Sequence, residues 1–205
     1  MKKLVTALSA VALVMLSSSS LASNPYPVQT RCNLTEATAP KVRGLHLGMS
    51  IQQFLALFPA ITKKKEMKDT IEKLKSATGD EVVTLGFDPV VDGDANSFAG
   101  IESVGATFYK GRVMDFSAQY GGSTWGSVDE WVAKLSESFN LPRAQDWMSG
   151  PNESPNKILN CDGIQIEAAI QGGSASIRVR NAGYLRESEE RARAAEDKKR
   201  KDVKP

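Results

Sequence analysis

Cys32 and Cys161 are the only cysteines of the sequence, so one disulfide bond is the chemistry they can form together. An even number of cysteines in an exported protein most often means a bridge. Because the bridge would close a long loop, the chain-entropy argument gives it an upper stabilisation of about 5 kcal/mol. A catalytic thiol is the competing interpretation, but an oxidising compartment would cap a free thiolate. We therefore predict a structural disulfide.

Acidic and amide side chains alternate in the stretch Asp-Gly-Asp-Ala-Asn, which begins at Asp92. Alternating oxygen ligands are typical of the start of a calcium loop, which makes Asp92, Asp94 and Asn96 a calcium candidate. The rest departs from that pattern, because Ser97 replaces the usual glycine and Glu102 comes one position early. A polar connection between strands is the preferred interpretation. The alternative is a carboxylate-dependent enzyme, for which Asp92, Asp94 and Glu102 must converge in a pocket.

His46 is the only histidine, which removes most mechanisms that pair a nucleophile with histidine or bind a metal through histidines. It lies between Leu45 and Leu47, and alternation points it away from both leucines. The sequence has no G-x-S-x-G elbow, no P-loop and no dinucleotide-binding motif. We therefore predict no metal and no cofactor, and we favour a protein that is not an enzyme.

Trp125 and Trp147 lie in segments rich in turn-forming residues, which makes them candidates for an exposed contact surface. Tryptophan has a large apolar ring and one hydrogen-bond donor, a combination that suits protein interfaces. Burial of one or both rings in the core is the alternative.

Residues 1–22 have the parts of a cleavable export signal. Lys2 and Lys3 precede an apolar stretch at 4–16, which is too short to span a membrane, and small residues lead to Ala22. No cysteine follows directly, so we expect no lipid anchor, and no later stretch is apolar enough to span a bilayer. The sequence predicts cleavage near Ala22 and a periplasmic or secreted protein.

The remaining sequence divides into an extended arm at 23–41, a single domain at 42–184 and a charged, solvated helix or tail at 185–205. Cleavage of the signal leaves a formal charge of zero, and residues 23–184 hold slightly more acidic than basic side chains. That balance argues against nucleic-acid binding, which needs a concentrated basic surface. Within the tail, Lys198 to Lys201 could contact an anionic surface, but interleaved acids dilute their charge.

Periodicity predicts an α+β fold in the order α-α-β-β-β-α-β-β-α, with about five mostly antiparallel strands and the helices on one face. Ser50 with Gln53, and Ser127 with Glu130, form capping boxes before two apolar helical stripes. A lysine-rich segment at 63–76 predicts a more solvated helix. A small-ligand cavity between helix 127–139 and the sheet is a further possibility that sequence does not test.

Two hairpins define the faces of the sheet. A three-residue loop at 109–111 places Ala106 opposite Met114 and keeps Asp115 on the polar side. A Gly172-Gly173 turn places Glu167 directly opposite Arg178, where a cross-strand ion pair would contribute a few tenths to about 1 kcal/mol.

The stretch Gly-Leu-His-Leu-Gly-Met-Ser at 44–50, the Leu-Asn-Cys-Asp-Gly-Ile strand at 159–164 and the charged tail resemble a family of exported bacterial proteins without an assigned activity. The helix start at 47–50 is more remotely similar to modules of the SmpA/OmlA lipoproteins and of β-lactamase inhibitor proteins. That likeness spans 42–120 and implies a small α-α-β-β-β unit that binds other proteins. The sequence departs from it by lacking the lipid-attachment cysteine, so no binding residue is carried over.

These observations lead us to expect a non-enzymatic module that binds another envelope protein, or acts as a secreted binding protein. An inhibitor of an envelope hydrolase is the narrower alternative, and a carboxylate-dependent enzyme is the alternative of another class. The oligomeric state is left open by the sequence.

Overall fold

The computed structural model of the protein describes residues 32–76, 82–94, 96–122, 125–150 and 155–202. The predicted export signal at 1–22, its cleavage site and the arm residues 23–31 lie outside the described residues. Within the described ranges the chain is an α+β structure with one antiparallel sheet of seven strands. The predicted fold class is therefore confirmed, whereas the sheet has seven strands rather than about five.

The sheet runs in the spatial order β1-β2-β3-β7-β6-β5-β4, so that β3 and β7 meet at its centre. Every neighbouring pair is antiparallel. The strands are β1 Val82–Phe87, β2 Ile101–Tyr109, β3 Arg112–Tyr120, β4 Met148–Ser149, β5 Asn156–Asn160, β6 Ile164–Gln171 and β7 Ser174–Asn181.

Five α-helices and three short 3-10 turns accompany these strands in the described ranges. The helices are α1 Ile51–Leu57, α2 Lys68–Ser76, α3 Pro89–Asp92, α4 Val128–Phe139 and α5 Ala182–Asp202. The 3-10 turns are Pro59–Lys63, Lys65–Met67 and Ala144–Asp146.

One face of the sheet, which we call the core face, packs against α1 and α4. Alternation along each strand brings its apolar side chains to this face. Phe54 of α1 meets Phe108 of β2 with ring centroids 5.0 Å apart, and Trp131 of α4 meets Tyr120 of β3 at the same separation. The sheet residues of this core include Leu85, Val104, Ala106, Phe108, Phe116, Ala118, Ile166, Ala168, Ile177 and Val179.

The predicted helix caps are present at α1 and α4. Ser50 and Gln53 form a complete capping box before α1. Ser127 accepts the Glu130 backbone N–H before α4, but the Glu130 carboxylate accepts the N–H of Gly126 rather than that of Ser127. Both helices thus begin where a side-chain oxygen satisfies a backbone donor.

The β2–β3 hairpin differs from its prediction in the turn but not in the distribution of its polar residues. Lys110 and Gly111 form a two-residue turn with positive φ at both, and Tyr109 pairs with Arg112. A bulge then shifts the register, so that Thr107 pairs with Asp115. Met114 is the unpaired residue of this bulge in β3. Val113, which pairs with Phe108, therefore faces the core in place of the predicted Met114.

Two strands that were not predicted lie in and after the turn-rich segment around Trp147. These are β4 and the start of β5, and together they raise the strand number from about five to seven. β4 has only two residues, and β5 begins among turn-forming residues, so neither shows an alternating pattern long enough to recognise. The four-residue helix α3 was missed for the same reason of length.

The last helix, α5, corrects the expectation that all helices lie on one face. Tyr109 shares the side of Thr107, opposite the core face, and it is almost completely buried there. Its ring lies 5.7 Å from the ring of Tyr184, at the start of α5. The first half of α5 therefore covers one end of the other face, whereas residues 192–201 are solvent-exposed.

Cys32 and Cys161 form the predicted disulfide bond. The backbone N–H of Asp162 also donates to the carbonyl of Cys32. Glu36 accepts a hydrogen bond from the side-chain amide of Asn181 at 2.7 Å, which ties the segment after Cys32 to the end of β7. The part of the arm that the structure describes is thus held by covalent and polar contacts.

Candidate functional site

The face of the sheet opposite the core carries small and polar side chains, and we call it the polar face. They alternate with the core residues along the four central strands β2, β3, β7 and β6. Because α5 covers only the end near Tyr109, the end near Gln119 and Gln171 is exposed among the described residues. The polar-face residues at this open end are Ser103, Ser117, Gln119, Glu167, Ala169, Gln171, Ser176 and Arg178.

These residues surround an open depression with a volume of about 280 Å³. Its floor consists of short side chains, including Ser117 and Ser176, and longer side chains such as Gln119, Gln171 and Arg178 stand around them. Ser117 can lie close to β2 because residue 105 is glycine, where a Cβ would stand 2.9 Å from the serine Oγ. The lack of large side chains at neighbouring positions creates the depression.

Arg178 is fixed at the edge of this depression by Asp115 of the adjacent strand. Its Nε lies 2.9 Å from both carboxylate oxygens, and its Nη2 lies 2.5 Å from Oδ2. Asp115 is buried, whereas 48% of the Arg178 side chain is exposed. The hydrogen bond to Asp115 raises the pKa of Arg178, so the guanidinium keeps its charge. Arg178 is consequently an oriented cation that still contacts solvent.

Glu167, on the next strand, is held by two other residues. It accepts a hydrogen bond from Asn156 at 2.7 Å and one from Arg180 at 3.2 Å. Burial lowers the pKa of Arg180, and the nearby Arg178 lowers it further. The centre of the polar face is therefore a charge-balanced network in which each side chain has a fixed direction.

The predicted ion pair between Glu167 and Arg178 is wrong in its partners although the register is right. The two residues are directly opposite across β6 and β7. Arg178 instead turns toward β3 and binds Asp115, and Glu167 binds Arg180. The reason is the β3–β7 pairing, which offers Arg178 a buried carboxylate that the sequence of one hairpin does not contain.

The two tryptophans proposed for a contact surface differ in exposure, and neither is fully exposed. Trp147 is buried in the core, where its Nε1 donates to the carbonyl of Pro142 at 3.2 Å. Trp125 is half-buried, and its ring lies 4.8 Å from that of Trp131 on α4. Their apolar area serves packing, which was the alternative interpretation of these loops.

The acidic residues of the calcium candidate have separate partners. Asp92 is buried, with its Oδ1 2.5 Å from Lys64 Nζ, and this hydrogen bond raises the pKa of Lys64. Asp94 accepts from the Ser97 hydroxyl and from the Asn96 backbone N–H, and these bonds lower its pKa. Asp92 thus ends α3, and Asp94 accepts hydrogen bonds within a local turn with Asn96 and Ser97.

Glu102 does not join these acids, because its carboxylate lies against Gly121 at the end of β3. In the described ranges no three His, Cys, Asp or Glu side chains are grouped so that they could hold a metal ion. His46 is half-buried, and its Nδ1 lies 2.8 Å from the carbonyl of Leu47. The groups considered for catalysis are thus dispersed over the molecule.

Helix α4 places large side chains where a ligand cavity had been considered. Trp131, Val132 and Leu135 are buried against the sheet, and Trp131 Nε1 donates to the carbonyl of Ser176 at 2.8 Å. The depression described above lies on the opposite side of the sheet. Asp115, Asn156 and Arg180, which hold Arg178 and Glu167 in place, were not predicted as a group because they come from three strands far apart in sequence.

No protein family, curated protein or solved structure matched the chain. The resemblance of the helix start at 47–50 to modules that bind other proteins thus stays a prediction. None of the helices in the described ranges is long and apolar enough to cross a membrane.

Proposed function

We propose that this protein is a non-enzymatic, exported binding module that recognises another envelope or secreted protein through the open end of its polar face. The observation that carries the proposal is Arg178, a charged side chain held in one direction by Asp115 and still half-exposed at the edge of a depression. Arginine side chains of this kind are common among the residues that dominate binding energies.

The fixed network favours binding because little conformational freedom is left to lose. Arg178, Glu167 and Arg180 are already oriented by hydrogen bonds, so a partner would not have to order them. The open end of the polar face also supplies hydroxyl and amide groups that can donate and accept. This chemistry suits a polar protein surface or an extended backbone.

Catalysis is a poorer interpretation of the same residues. The depression is lined by serines, but the one carboxylate among its described lining residues, Glu167, is engaged by Asn156 and Arg180 rather than placed to activate a hydroxyl. Nucleophilic catalysis by serine needs an adjacent base. We therefore favour recognition over reaction.

Export to the periplasm or the medium is part of the proposal. The signal-like residues 1–22 motivate it, and the disulfide between Cys32 and Cys161 is consistent with an oxidising compartment. Cell fractionation followed by N-terminal sequencing of the mature protein tests it. A full-length chain recovered from the cytoplasm would refute it.

A photo-crosslinking amino acid placed at Gln119 tests the contact surface in cells. We expect it to trap a discrete partner, which mass spectrometry then identifies. The matched control carries the same amino acid at Lys134, an exposed position on α4 at the other side of the sheet. Equal products from both positions, or none above background from Gln119, would contradict the proposal.

A substitution that fills the depression provides the second test once the partner is known. Ser103 is exposed at its rim, so Ser103→Arg adds bulk without disturbing the core. We expect affinity for the partner to fall at least about tenfold while the melting temperature is unchanged. Lys134→Glu on α4 should leave the affinity as it was.

A further inference from the structure

Strand β1 forms one edge of the sheet and has no protection of the usual kind. It pairs with β2 along all six of its residues without a bulge, and β2 is its only strand neighbour in the described ranges. Proteins commonly protect such edges with charged residues, prolines, bulges or very short strands. β1 contains no charged residue and no proline. The opposite edge, in contrast, ends with the two-residue strand β4.

The exposed large apolar side chains of the described ranges lie in β1 and in α3 directly after it. They are Val82, Val90 and Val91, which are 49%, 49% and 61% exposed. Elsewhere in the described ranges, apolar residues of this size are buried or half-buried. An uncharged edge strand combined with exposed valines is typical of a surface that pairs with another strand.

We infer that β1 pairs antiparallel with β1 of a second copy of this chain, with the two-fold axis at Thr84. This register places Thr84 opposite itself and Val82 opposite Gly86 of the second copy. Gly86 has open space around it, since a Cβ there would have no neighbouring atom within 4 Å. The exposed Val82 of each copy therefore covers the empty position of the other.

The same register keeps the two faces of the sheet continuous. On the core side it places Val83 opposite Leu85, which is already buried against β2. On the polar side it places two threonine hydroxyls next to each other, and such cross-strand pairs are favourable. A register shifted by one residue would put Thr84 against Leu85 and mix polar with apolar positions.

The absence of charge on β1 favours a second copy as the occupant. A two-fold axis places residues near it opposite their own kind, so any charge near Thr84 would meet a like charge. None of the six residues of β1 is charged, which removes this obstacle. A six-residue pairing is small, so we expect an equilibrium that depends on protein concentration rather than a permanent dimer.

Sedimentation velocity of the mature protein over a range of concentrations tests the inference. We expect a shift from monomer toward dimer as concentration rises. Thr84→Lys should weaken the dimer and raise its dissociation constant about tenfold or more, because two lysines would then meet across the axis. Ser138→Lys, a change at an exposed position of α4, which packs against β5 and β6, should leave the equilibrium unchanged.

Charge complementation completes the test and does not depend on one variant alone. Thr84→Glu should weaken the dimer as well, whereas an equal mixture of the Lys and Glu variants should restore it as a mixed dimer. Thermal melting checks that both variants fold. A protein that is monomeric at all concentrations, or a dimer that neither change at Thr84 affects, would overturn the inference. The polar-face proposal rests on a different surface and would be untouched.

Discussion

Arg178 binds Asp115 across the seam between β3 and β7, although its direct neighbour across the hairpin is Glu167. The pairing of β3 with β7 thus determines the direction of the Arg178 guanidinium. This direction also determines which side chains are available at the depression, and it can be tested by substitution.

We expect Asp115→Asn to lower the free energy of unfolding by about 1–2 kcal/mol, because a charged hydrogen-bonded pair is lost but half of Arg178 is in water. Urea denaturation measures the change. A double-mutant cycle with Arg178→Gln should give a coupling energy of the same order. Strictly additive losses would show that the two side chains do not stabilise each other.

The docking of α5 is expected to weaken in acid. Hydrogen bonds from Lys110 and then Tyr109 lower the pKa of Glu187, so the folded state prefers the ionised carboxylate. The resulting stabilisation is complete above the ordinary pKa of about 4.5 and is lost as the pH falls through the lower folded value. Glu187→Gln should therefore reduce thermal stability at neutral pH.

In acid well below that ordinary pKa, the difference between wild type and Glu187→Gln should disappear. Thermal melting followed by circular dichroism measures both conditions. Glu190→Gln serves as the control, since Glu190 is exposed on the same helix. A difference between wild type and Glu187→Gln that persists unchanged in acid would contradict the assigned role of Glu187.

Removing the disulfide should destabilise the protein by about 2–5 kcal/mol, because the bridge closes a loop between cysteines 129 residues apart in sequence. The double variant Cys32→Ser/Cys161→Ser should unfold at a lower urea concentration, and its slope should reveal a more expanded unfolded state. Thiol titration of the unreduced, unfolded wild type should find no free group. Two free thiols would refute the bridge.

Phe54→Ala should cost about 3–5 kcal/mol, since Phe54 is fully buried among aromatic side chains. Its ring lies within 5.2 Å of those of Phe58, Phe87 and Phe108, counted between centroids. Leu55→Ala on the same helix is only partly buried and should cost clearly less. Equal losses at the two positions would mean that the aromatic cluster contributes no more than an ordinary contact.

Local patterns predicted the last hairpin well. The Gly172-Gly173 turn, both glycines with positive φ, produces the expected register from Gln171 and Ser174 onward. The residues of this turn and the alternation of apolar residues in the two strands both favour the same register, so the sequence predicts one register. At Lys110-Gly111 two solutions put Asp115 on the polar side, and the sequence could not separate a three-residue loop from a tight turn followed by a bulge.

Contacts between distant segments could not be predicted in this way. Arg178 and Asp115 are 63 positions apart, and Tyr109 and Glu187 are 78 positions apart. Both contacts follow from the pairing of β3 with β7, which no local pattern specifies. The candidate site lies across this pairing. The sequence could therefore predict that its residues lie on the polar side of their strands, but not that they lie close to one another.

The central position of β3 and β7 also has a kinetic consequence. Each of the hairpins β2–β3 and β6–β7 can form from near neighbours, but their union must bring Tyr120 beside Ala175 and close the long intervening chain. Since non-local pairing slows folding, we expect the docking of two preformed hairpins to be the slow step. Core substitutions at Phe116 or Val179 should then slow refolding more than those in α1.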